Sequence, residues 1–208
     1  KQFSFPLPPL PEQQKIAEVL STWDKAIHET DAIIKKLEAR NKALATSLLT
    51  GESRIEAFKN SPSAKLEIKD VAKEISLKNK ENHNYTVFSC TKYNGLVPSL
   101  EYFGKKIYSD NLKTYKIIKR NQFAYATNHI EECSIGYQDF YEKGLVSPMY
   151  TVFKTSTAID DGYLYKVLKT ETYRHIFQVN TSASVDRRGS LRWNEFAKLP
   201  IPLPPIAE

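Results

Sequence analysis

The stretch EQQKIAEVLSTWDKAIHETDAIIKKLEARNKALATSLL, residues 12–49, decides how the rest of the chain is read. Apolar residues recur along it at Ile16, Leu20, Trp23, Ile27, Ile34, Leu37, Leu44 and Leu48. Thr30 and Asn41 occupy the same seam, so the spacing alternates four and three without a break. A 3.5-residue period keeps one stripe facing a partner helix, which is the coiled-coil pattern. Charged residues such as Lys15, Glu18, Lys25, Glu29, Lys36 and Glu38 fill the positions between. Pro11 precedes the run and Gly51 follows it, where a first-turn proline and a C′ glycine belong. At 1.5 Å per residue the rod is roughly 57 Å long. A helix that long with one apolar stripe needs a second helix. Ile16, Leu20, Trp23, Ile27, Ile34, Leu37, Asn41, Leu44 and Leu48 are therefore expected to form a helix–helix interface. Asn41 falls on an a position, where a polar residue costs stability but fixes register and partner number.

Outward from the rod the chain divides by composition. Residues 1–11 are a proline-rich lead-in, 12–50 the spacer helix and 51–63 a polar linker broken by Pro62. Residues 64–199 are globular, and 200–208 are proline-rich again. The two proline-rich ends align at a constant offset of 196: Pro6-Leu7-Pro8-Pro9-Leu10-Pro11-Glu12 against Pro202-Leu203-Pro204-Pro205-Ile206-Ala207-Glu208. The second copy is expected to open the helix of another unit, so that helix plus globular domain is the repeat. The globular part mixes strand and helix signals, which predicts an α+β fold. Leu66–Ala72 reads as a strand or short helix. Tyr85–Cys90, Gln122–Ala126, Ser134–Tyr137 and Met149–Lys154 are rich in β-formers. Asp160-Asp161-Gly162 marks a turn or helix start, and Tyr163–Leu168 and Glu171–Phe177 look helical. Gly95, Gly104, Gly144 and Gly189 are assigned to loops.

Composition excludes several classes. No run of about 18 apolar residues exists to span a membrane, and Lys1–Pro6 has no apolar h-region of a signal peptide. Two widely spaced cysteines, Cys90 and Cys133, suggest a reducing, cytoplasmic setting. Net charge is +6, of which residues 1–54 carry +1 (eight basic, seven acidic) and the remainder +5 (22 basic, 17 acidic). The positive field thus sits on the globular part, which suits a polyanion. No P-loop, dinucleotide turn or methyl-transfer motif is present, and the four histidines lack a second His or Cys at ligand spacing. Glu67-Ile68-Lys69 has a nuclease-like form without the upstream acid, and reads as a strand with alternating faces. No catalytic residue, metal or cofactor is expected.

What remains is a basic, aromatic-rich head. Three polar loops are expected to touch DNA: Lys92, Tyr93 and Asn94 after one strand; Asn128 and His129 after another; Ser184, Arg187, Arg188 and Arg192 in a third. Arginine reads guanine bidentately, and asparagine reads adenine. Lys105, Lys106, Lys113, Lys116 and Lys119 would serve phosphates, which set register without carrying sequence.

The layout resembles the specificity (S) subunit of type I restriction–modification enzymes. The resemblance rests on Pro6-Leu7-Pro8-Pro9-Leu10-Pro11-Glu12-Gln13-Gln14-Lys15-Ile16-Ala17 running into Val19–Ile27, on the helix end Leu44–Gly51, on Gly144-Leu145-Val146-Ser147-Pro148, and on Arg192–Phe196 before Leu199-Pro200-Ile201-Pro202. It implies a non-catalytic reader of double-stranded DNA with a target recognition domain and a spacer helix. In such enzymes two helices pack antiparallel as a spacing ruler and each domain reads half of a split target. Methylation (M) and restriction (R) subunits supply the chemistry. This chain has one domain and one helix, so a second copy or a second half of the subunit is expected across the seam. Two alternatives stay open: a DNA-recognition domain of another restriction–modification system, and a non-catalytic coiled-coil protein adaptor.

Overall fold

Helix α1 (Leu10–Thr50) runs 41 residues without interruption, roughly 60 Å at 1.5 Å per residue. It appears in a computed structural model that describes residues 6–60, 64–182 and 189–204. The helix begins two residues earlier than the sequence suggests, because the Pro9 carbonyl already accepts the amides of Glu12 (2.9 Å) and Gln13 (3.0 Å). Gly51 follows it at φ +78°, the left-handed conformation that suits a C′ glycine. No residue of α1 is buried. Its seam is open from end to end: Trp23 is 66% exposed, Ile27 60% and Leu20 58%.

The chain forms two compact units that divide between Leu48 and Leu49, and the second is built on sheets. Strand β1 (Ala64–Glu67) leads into a single helical turn, α2 (Ile68–Val71), and then β2 (Ala72–Ile75). The alternating strand expected over Glu67–Lys69 therefore ends at Glu67. Glu67 is the N-cap of α2 in a capping box with Asp70, whose carboxylate accepts the Glu67 amide at 2.8 Å; these side chains serve a helix start. The stretch Leu66–Ala72 is strand and helix in turn.

Strands β3 (Val87–Thr91) and β4 (Gly95–Pro98) form a hairpin followed by the short α3 (Ser99–Phe103). Then come β5 (Lys116–Lys119), β6 (Gln122–Ala126), β7 (Ile135–Gln138), β8 (Lys143–Val146) and β9 (Tyr150–Thr155). Helices α4 (Asp161–Leu168), α5 (Glu171–Ser182) and α6 (Trp193–Phe196) precede β10 (Pro200–Leu203). Asp160 caps α4 by accepting the Tyr163 amide at 2.7 Å, so Asp160-Asp161-Gly162 is a helix start. One four-stranded sheet has the order β2-β9-β6-β7, all antiparallel; the other has the order β4-β3-β8-β5, with β3 and β8 parallel. Residues 200–203, which open the second proline-rich segment, pair with β1 as β10.

The two sheets face each other across Phe88, Leu96, Ile118 and Val146 from one and Ala124 and Val152 from the other. On its far side the first sheet buries Phe123, Tyr125 and Phe153 against Leu164, Phe177 and Phe196 of the helices. Phe123 stacks on Phe153 at 4.8 Å between ring centroids, and Tyr125 on Phe196 at 4.6 Å. Those aromatics are core, which accounts for much of the aromatic content. Strands with helices grouped on one face make the unit α+β, as expected.

Two of the glycines assigned to loops lie in strands instead. Gly95 opens β4 at φ +65°, and a Cβ there would sit 2.4 Å from the Tyr165 hydroxyl oxygen. Gly144 lies in β8, where a Cβ would meet the Phe88 ring at 1.9 Å. Both are glycine because a neighbour occupies the space a side chain needs.

Candidate nucleic-acid interface

The first expected DNA-touching segment is the turn between β3 and β4. Thr91 builds it: its Oγ1 accepts the Asn94 amide (3.1 Å) and donates to the Gly95 carbonyl (3.2 Å). Lys92, Tyr93 and Asn94 are all exposed at the tip, Tyr93 by 82%. The Lys92 ammonium lies 5.2 Å from the centre of the Tyr93 ring.

The second segment follows β6. The His129 amide donates to the Ala126 carbonyl at 3.2 Å, and a 3-10 turn over Ile130–Glu132 ends at Cys133 in the left-handed region, φ +58°. Ile130 anchors the turn in the core, Asn128 is half-buried and His129 is exposed. The third segment is seen at Arg192, exposed and at the N-cap of α6. Ser184, Arg187 and Arg188 lie outside the described residues.

Two ties draw these segments together. Lys169, between α4 and α5, donates to the Lys92 carbonyl (3.0 Å) and to the Cys133 carbonyl (2.7 Å). Its burial lowers its pKa. The Leu191 amide donates to the Thr127 carbonyl at 2.8 Å, which sets Arg192 beside the start of the second turn. A single ammonium thus clips two turns separated by some forty residues of chain. Lys169→Met should leave both carbonyls without their charged donor, at a cost of about 1–3 kcal/mol. Thermal melting should show that loss, and amide exchange should quicken at residues 92–94 and 130–133; unchanged exchange there would count against the tie.

Beside Arg192 opens a cleft of about 410 Å³, lined by Glu74, Lys116, Thr127, Met149, Trp193 and Asn194 among others. The Thr127 Oγ1 donates to the Met149 carbonyl at 3.0 Å and shapes one wall. Met149 is 60% exposed, while Trp193 rests on Phe153 at 5.6 Å and keeps a half-exposed edge. Lys116 is half-buried; its ammonium donates to the Tyr150 carbonyl at 2.5 Å, and burial lowers its pKa. Sequence reasoning passed over Met149 and Asn194, because neither stands in a basic run. Among the described residues, no contact ties Lys105 or Lys106 to these turns, and the Lys106 ammonium pairs with Asp110.

Reactive chemistry finds little here. Burial pushes the Cys90 thiol up to about 12, and its Sγ donates to the Ala124 carbonyl at 3.1 Å; burial also raises Cys133. Thiols held protonated are poor nucleophiles. His129, Glu131 and Glu132 bring their ligand atoms within 4.8 Å of one another, a grouping missed by looking only for paired His and Cys. No helix among the described residues is long and apolar enough to cross a membrane.

Exposed turns carrying Lys92, His129 and Arg192 thus stand on an α+β double sheet, and the chain also carries a long helix with an open seam. Residues 1–39 match the family described as Type I restriction modification DNA specificity domain. The structure is similar to that of the HsdS subunit from Thermoanaerobacter tengcongensis, with TM-score 0.53, 14% sequence identity, and coverage of 97% of this chain and 49% of that one. It is equally similar to the type I restriction–modification system S subunit from M. genitalium: TM-score 0.53, 14% identity, 94% of this chain and 50% of that one. The resemblance read from the sequence therefore holds, over residues 1–39 by sequence and over nearly the whole chain by fold. The chain spans about half the length of the solved S subunits it matches.

Proposed function

We propose that this chain is the DNA-recognition half of a type I specificity subunit, reading one part of a bipartite target in double-stranded DNA. The match over residues 1–39 carries the reading, because it falls on α1, the element whose apolar seam is exposed throughout. That seam pairs with a second copy or second half of the subunit, and M and R subunits assemble on the result. The chain itself does no chemistry; cytoplasmic partners methylate, translocate and cleave. Lys92, Tyr93, Asn94, Asn128, His129 and Arg192 address the duplex from the clipped turns, and Ser184, Arg187 and Arg188 extend the same rim. Arg192 and Asn194 flank a cleft with Trp193 behind them, a set that offers guanidinium, amide and ring contacts to base edges.

In this reading the helix pair is a ruler. Seven residues inserted in α1 keep the seam in phase and lengthen it by about 10.5 Å, or roughly three base-pair steps. Methylome mapping in cells carrying the complete system should then report a gap wider by about three base pairs between unchanged half-sites. A change in the bases read, with the gap constant, would end the ruler. Little or no salt-dependent binding to random DNA would instead favour the protein-adaptor alternative.

A further inference from the structure

Lys73 on β2 stands directly opposite Lys154 on β9. In an antiparallel pair such side chains share a face, with Cβ atoms about 4.5–5.5 Å apart, and like charges there are destabilising. Both are exposed, and among the described residues neither forms an ion pair. They line a cleft of about 360 Å³ with Lys69, Asp70, Thr155 and Ser156. Lys69 is ion-paired to Glu67. The Asp70 carboxylate is turned to its own helix start, where it accepts the Glu67 amide. Thr155 donates its hydroxyl to Asp161. Ser156 Oγ accepts the Ala158 amide at 3.3 Å, which leaves its O–H able to donate into the cleft.

The same opposition recurs twice, at Lys78 against Lys116 and at Lys119 against Lys143. Lysines on edge strands do guard sheets against pairing with other chains, and β2 and β5 are edges. Lys154 and Lys143 lie on β9 and β8, which pair on both sides further along, but at these two residues the only partner is the opposing lysine. Edge protection needs one lysine of each pair and does not account for a second placed directly opposite it. An anion held between the two ammonium groups does, because it converts their repulsion into attraction.

We propose that the Lys73–Lys154 cleft is a phosphate seat that holds a backbone phosphate of double-stranded DNA, with Ser156 donating the third hydrogen bond. The inference rests on the DNA-recognition reading above and assigns this cleft a positioning contact that carries no sequence information. The lysine pairs at 78/116 and 119/143 are the places to look for neighbouring phosphates.

The test is a salt titration of the full chain on random-sequence duplex DNA. It compares the parent with Lys73→Gln/Lys154→Gln and with a charge-matched control, Lys65→Gln/Lys166→Gln. Each phosphate contact contributes about 0.9 to the slope of log K against log salt. The cleft variant should lose about one unit of slope and bind all duplexes alike more weakly, with a melting temperature equal to the parent's or higher. The control should keep the parental slope. An unchanged slope in the cleft variant, or an equal loss in the control, overturns the seat alone. So does binding of inorganic phosphate that the variant abolishes while its DNA slope stays parental. A parent chain with no salt-dependent DNA binding overturns the recognition reading, and this inference with it.

Discussion

Replacing Gly136 by alanine should destabilise the chain by about 3 kcal/mol, at the upper end of the overpacking range. The two four-stranded sheets meet in close contact where β7 passes the β3–β4 hairpin. A Cβ on Gly136 would stand 2.3 Å from the Leu96 backbone nitrogen, 2.7 Å from its Cγ and 3.0 Å from the Gly95 carbonyl carbon. Leu96 cannot step aside, since it is 5% exposed and paired in register with Cys90. The sheets must part, and the contacts among Phe88, Leu96, Ala124 and Val152 go with them. For a chain of this size the loss corresponds to a melting temperature lower by roughly 6–12 °C. Gly162→Ala is the matched control: its Cβ meets nothing nearer than Asp160 Oδ1 at 3.2 Å, on an exposed helix turn. It should stay within about 1 kcal/mol of the parent. A parental melting temperature for Gly136→Ala would mean that the sheets are not locked at this point.

The second large effect concerns α1. At micromolar concentration the chain should self-associate, and Leu20→Glu with Ile27→Glu should leave it monomeric in sedimentation velocity. Burying a leucine or isoleucine is worth about 1.5–3 kcal/mol. Two such positions on each of two helices carry roughly 6–12 kcal/mol, against about 8 kcal/mol for a micromolar complex. Their replacement by charge removes the association rather than weakening it. Helicity should fall too, because most helical stability comes from tertiary packing of an apolar face. A parent that sediments as a monomer at every concentration would deny the seam a partner of its own kind.

The rod was legible because period, cap and stop agree over a long run: apolar spacing, a proline-rich start and Gly51. Strands such as Gln122–Ala126 were legible from β-forming residues alone, since all five side chains are buried. The strand pattern failed where a few residues do two jobs. Leu66–Ala72 holds a strand end, a capped helical turn and a strand start, and no window of that length has a single period. Glycine is usually loop punctuation, but Gly95 and Gly144 lie in strands, and Tyr165 and Phe88, distant in sequence, explain them. Of the surface residues expected to meet DNA, 92–94, 128–129 and 192 are held near one another by Lys169 and the Thr127–Leu191 bond, which no local pattern announces. Lys106 looks the same in sequence as the other lysines; only the structure separates it, by pairing it with Asp110.

Lys169 grips oxygen atoms of the polypeptide backbone, and every amino acid supplies the same carbonyl. Support of that kind is blind to whatever side chain is mounted above it. Residues at the two tips could therefore be exchanged over evolutionary time, acquiring new preferences, while the brace beneath them stayed as it was.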